Sequence, residues 1–67
     1  MIVQARVADY VQNNGIRSSF IAEKTELSPV IVSRILSRKR EMTADEFEKI
    51  CRALHKQPND FIKIEDE

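Results

Sequence analysis

The six residues Met42-Thr43-Ala44-Asp45-Glu46-Phe47 constrain the fold more than any other stretch of the chain. Thr43, with Glu46 three residues on, makes a capping box: each side chain takes up a backbone N–H that the first turn of a helix leaves unpaired. Met42 before the cap and Phe47 after it form a hydrophobic staple. Asp45 and Glu46 also complement the positive end of the helix dipole. A helix therefore begins at this point, and Phe47, Ile50, Cys51 and Leu54 supply its single apolar stripe.

A second start signal resolves an ambiguity upstream. Val30-Ile31-Val32 is β-branched and by propensity favours a strand. Ser28-Pro29 precedes it, a cap followed by the one residue that loses nothing at the first helical position. The stretch VIVSRIL also fails to alternate as a half-buried strand must. Read as a helix over 28–38, it divides into an inward set, Val32, Ile35 and Leu36, and an outward set, Val30, Ser33, Arg34 and Ser37, with Ile31 at the border. Toward the N-terminus, Val3, Val7, Tyr10 and Val11 have helical spacing, and Asn13-Asn14-Gly15 ends that helix. A short helix starts at Ser18 or Ser19 and runs to about Lys24, with Ile21 and Ala22 inward. Pro58 opens a fifth short helix carrying Phe61 and Ile62, and residues 63–67 form a frayed acidic tail. The expectation is an all-α, compact five-helix domain spanning residues 1–67.

Several function classes fall away on composition. The chain has 67 residues, 42% hydrophobic and 33% charged, which fits a small globular domain and not a disordered segment. No apolar run is long enough for a bilayer, and the N-terminus lacks the features of a signal peptide. Cys51 is the single cysteine, so no internal disulfide forms, in keeping with a cytoplasmic protein. Cys51 and His55 lie four apart on one helix, but a small thiol on an apolar stripe is ordinary core, and one Cys with one His does not make a metal site. A single glycine excludes a glycine-rich phosphate loop. Neither an enzyme nor a cofactor is expected. Eleven Lys+Arg balance eleven Asp+Glu, so any affinity for nucleic acid must come from where the charges sit. They are segregated: residues 28–40 hold no acid and four basic side chains, while Glu41, Asp45, Glu46 and Glu48 follow at once.

A short helix, a tight turn and a capped helix with a polar outer face is a helix-turn-helix arrangement. Residues 18–40, extended to Ile62, resemble the phage-repressor (Cro/repressor, XRE-like) helix-turn-helix family. Ala22 matches the family's small residue in the second helix. Ile21, Leu27, Val32 and Ile35 match its buried positions, Gly15-Ile16 its entry to the second helix, and ICRALHKQPNDFI its closing helices. The chain departs from the pattern at the turn, where the family's usual Gly is Glu26 and the apolar residue before it is Thr25. The usual Gln of the second helix is Ser18. Many relatives carry a buried Arg–Glu pair at the positions of Val11 and Leu36, and replacing both partners with apolar groups leaves no charge stranded.

The resemblance implies a lambda-repressor-like DNA-binding domain and a transcriptional regulator, a repressor, acting as a homodimer on a two-fold operator in double-stranded DNA. It places Val30, Ser33, Arg34 and Ser37 against base edges in the major groove, and counts Ser28 at the helix start among the DNA-binding residues. Arg suits guanine, Ser either donates or accepts, and Val packs on a thymine methyl. Arg38-Lys39-Arg40 fall where the family grips phosphates. Arg17 and Ser18 open the second helix, whose N–H groups suit a phosphate, with plain capping by Ser18 as the alternative. Ile62 and Ile64 are expected to form the dimer contact, since so small a domain cannot bury them. No membrane partner and no small-molecule ligand are implied. The alternative of a different class is a protein-interaction module that grips a partner through Val30 and Ile31.

Overall fold

The computed structural model describes residues 2–63. Four α-helices follow one another: α1 (Ile2–Asn13), α2 (Ser18–Thr25), α3 (Pro29–Leu36) and α4 (Ala44–Leu54). The expected fifth helix is instead one 3-10 turn, Pro58–Asp60. Pro58 does start it, and the Asp60 carboxylate accepts the Gln57 N–H at 2.8 Å. The turn ends after three residues as the chain delivers Phe61 into the core, 4% exposed, edge-on to the rings of Tyr10 and Phe47. Ile64 and the rest of the acidic tail lie outside the described residues.

The capping box at α4 is present as the sequence implies: Thr43 Oγ1 accepts the Glu46 N–H at 3.1 Å and Glu46 Oε1 accepts the Thr43 N–H at 2.9 Å. Ser28 Oγ likewise accepts the Ile31 N–H at 3.1 Å, with Pro29 in the first turn. Two details differ. Helix α2 starts at Ser18 without a side-chain cap, because Arg17 is the extended residue whose carbonyl takes the first bonds; Ser18 already belongs to the helix and does not cap it. Helix α3 ends at Leu36 and not at 38, because Arg38 turns into the left-handed region.

Each helix contributes to one core. Val7, Ile21, Val32, Ile35 and Ile50 are fully buried, ringed by Val11, Met42, Phe47, Cys51 and Phe61. Helix α2 packs on both α3 and α4, α1 packs on α3, and the 3-10 turn packs on α4. In α4, Leu54 is only half-buried and Ala53 is buried beside the expected stripe.

All four helices end on a residue of positive φ, and three of those residues are not glycine: Gly15 at 63°, Glu26 at 62°, Arg38 at 63° and His55 at 57°. After α1, α3 and α4 the next two N–H groups fold back in a Schellman pattern, as in Lys39 N–H to Arg34 O (2.9 Å) and Arg38 N–H to Ile35 O (3.1 Å). After α2 a single bond, Glu26 N–H to Ala22 O at 3.0 Å, closes the turn. Thr25, beside it, is buried yet satisfied, its hydroxyl donating to Ile21 O and accepting the Leu27 N–H. A side chain with a Cβ is strained in this conformation, so Glu26→Gly should raise stability by about 1 kcal/mol. A melting temperature that stays or falls in this variant would show that the turn carries no strain.

Candidate nucleic-acid interface

Helices α2 and α3 pack directly on each other through the turn at residues 26–28, and this pairing decides which face of α3 is free. Val32 and Ile35 are wholly covered, which turns Val30, Ser33, Arg34 and Ser37 outward; Val30 is 60% exposed. Ile31 and Leu36 lie half-buried at the two borders. Ser28 and Ser37 are partly engaged at home: Ser28 caps the helix, and the Ser37 hydroxyl donates to Arg34 O at 3.3 Å.

The N-terminus of α2 lies beside the C-terminal end of α3. Ser18, Ser33, Ser37 and Arg38 line one groove, closed on its third side by Asp9 and Gln12 of α1. Of the sequence-expected contacts, one surface thus gathers residues from both helices and from the loop after α3. Among the described residues, no side chain pairs with Arg17, Arg34, Arg38 or Lys39. Arg40 is different. Its guanidinium binds Glu46 at 2.7 Å, and the same carboxylate caps α4. Burial pushes the Glu46 carboxyl upward, but the Thr43 N–H and the Arg40 charge outweigh it and hold the group below its ordinary value. At neutral pH the pair is therefore charged on both sides, and Arg40 has less positive charge to offer a phosphate than its two neighbours.

Over residues 7–67 the sequence matches the family model of the Cro/C1-type HTH DNA-binding domain. The chain belongs to that family. Comparison with curated proteins and with solved structures gives no match.

Outside the α3 face, the Cro/C1-type domain holds polar links that sequence reasoning missed. Gln4, 3% exposed, donates through Nε2 to Ile35 O (2.8 Å) and Arg40 O (2.7 Å) and accepts the Met42 N–H at Oε1 (3.1 Å). Its signal was available: Gln4, Val7 and Val11 share one helical stripe, so a polar side chain sits where the periodicity puts a buried one. Arg6 reaches the other way and donates to Phe61 O at 2.8 Å, tying α1 to the 3-10 turn. Burial, and then the Asp60 carboxylate, push the Cys51 thiol above its ordinary value, so it is held protonated and a poor nucleophile. No helix among the described residues is long and apolar enough to cross a membrane.

Proposed function

We propose that residues 1–67 work as one domain, a sequence-specific, non-enzymatic transcriptional repressor that reads the major groove with α3 as a homodimer on a two-fold operator. The observation that carries this reading is the exposed face of α3: Arg34 between Val30, Ser33 and Ser37, bordered by the cations Arg17, Arg38 and Lys39, none of the four paired with a side chain among the described residues. Those cations concentrate positive potential at one surface of a chain with zero net charge. Arg34 supplies a bidentate donor for guanine, the serines supply hydroxyls, and Val30 supplies an apolar contact. Arg17 leaves the first N–H groups of α2 without a side-chain cap, a geometry suited to a phosphate oxygen.

Selection from a random DNA pool tests the reading. A short sequence with two-fold symmetry should be enriched, and Arg34→Ala should lose preference at one guanine per half-site, by roughly 1–3 kcal/mol. An equal loss on random DNA would make Arg34 a phosphate contact. A pool left without any enriched sequence would favour the protein-binding alternative, for which Val30 is the exposed apolar handle.

Dimerisation is proposed through the segment after the 3-10 turn. Ile62 is 37% exposed while its neighbour Phe61 is buried. Two copies must hold their α3 helices about 34 Å apart to enter successive major grooves. Ile62→Asp combined with Ile64→Asp should leave a folded monomer that binds a half-site normally and a full operator poorly. Sedimentation showing the double variant still dimeric, with full-operator affinity intact, would move the interface elsewhere.

A further inference from the structure

We infer that Gln4, on the helix farthest in sequence from the basic loop, is a positioning residue for DNA binding, acting through Arg38 and Lys39. The inference rests on the proposed role of that loop. From Ser37 to Thr43 the chain has no helix of its own, yet it carries two cations, Arg38 and Lys39, that no side chain among the described residues pairs with. A loop of this kind, left free, would have to be ordered at the moment of binding, and that ordering subtracts from affinity. The structure removes much of that freedom in advance.

Gln4 holds the loop at both ends. At the near end its Nε2 donates to Ile35 O, the carbonyl that also accepts the Arg38 N–H and so forms part of the left-handed turn. At the far end the same amide nitrogen donates to Arg40 O, and Oε1 accepts the Met42 N–H. All three bonds join residues more than 30 positions apart in sequence, and the side chain is 3% exposed. From the opposite side, Arg40 is anchored on Glu46. Arg38 and Lys39 are left as the exposed crest between these anchors, on a backbone whose direction is set by the αL turn. A glutamine is suited to this work because one planar amide offers two donors and an acceptor, matching two carbonyls and one N–H.

The test is a double-mutant cycle on DNA affinity, with Gln4→Met, which keeps the volume and removes the polar groups, crossed against Arg38→Ala with Lys39→Ala. Binding is measured by titration of active, folded protein on a duplex carrying the selected sequence and on a random duplex of equal length. Gln4→Met should weaken binding to both duplexes about ten-fold, because ordering two long side chains and their loop then falls on the binding step. In the background lacking both cations the same change should cost less than about two-fold, since groups that act through each other do not add. Slower amide exchange at Met42 in the parent chain than in Gln4→Met would report the pinning itself. Should Gln4→Met fail to fold, Gln4→Asn, which keeps the amide one methylene short, takes its place in the same cycle and should show the same non-additivity with a smaller loss. An undiminished penalty in the cation-free background, or no penalty in the parent, overturns the inference. If Arg38→Ala with Lys39→Ala binds DNA like the parent, the loop's own role fails and the inference falls with it, an outcome the exchange measurement keeps distinct from a failure of pinning.

Discussion

Val11→Arg should lower the unfolding free energy by about 3–5 kcal/mol if the introduced charge stays buried and unpaired. Val11 is 5% exposed in the α1 stripe, and Leu36 lines the same groove from the end of α3. Leu36→Glu should cost less, since Leu36 is half-buried and a carboxylate there can reach water. The double variant should recover much of the loss, since it rebuilds the ion pair that many relatives carry at these positions. Denaturant melts of the two single variants and the double close the cycle. Additive losses would show that the two side chains do not meet. The result bears on function as well as stability, because the same α1–α3 contact holds Ser33, Ser37 and Arg38 along the groove.

Gln4→Ala should destabilise the domain by about 3–5 kcal/mol, since it strips the Arg40 carbonyl and the Met42 N–H of the bonds Gln4 makes to them, leaves Ile35 O with only its backbone donors, and opens a cavity. The comparison with Gln4→Met separates these contributions: the methionine refills the space, so only the polar share of the loss remains. Equal melting temperatures for Gln4→Ala and the parent would mean that water replaces all three bonds at no cost. Few side chains in so small a domain bridge three separate backbone points, so a loss of this size is a large part of its total stability.

The candidate interface was largely legible in the sequence, and the reason lies in its short range. Ser28-Pro29 specifies a helix start within two residues, and once that start is known the 3.6-residue period sorts Val32 and Ile35 from Val30, Ser33 and Arg34. Arg40 shows where this kind of reading stops. In sequence it is one of three consecutive cations; in the structure Glu46, across the loop, takes its guanidinium. Only the path of the loop between them brings the pair within 2.7 Å.

The helix ends divide in the same way. Helix starts at Ser28 and Thr43 are encoded by side chains that bond within three residues, so the sequence alone determines them. Of the four ends, only Gly15 announces itself, because only glycine makes a left-handed residue cheap. Glu26, Arg38 and His55 adopt the same conformation without that chemistry, each at the end of a helix whose apolar face is already packed. Their strain is a local cost that core burial around Ile21, Ile35 and Ile50 outweighs, and such a balance exists only once the helices have met. The three bonds of Gln4 belong to the same class: the sequence supplied a polar side chain on a buried stripe, and only the packing of α1 against α3 supplied the partners that make it stable there.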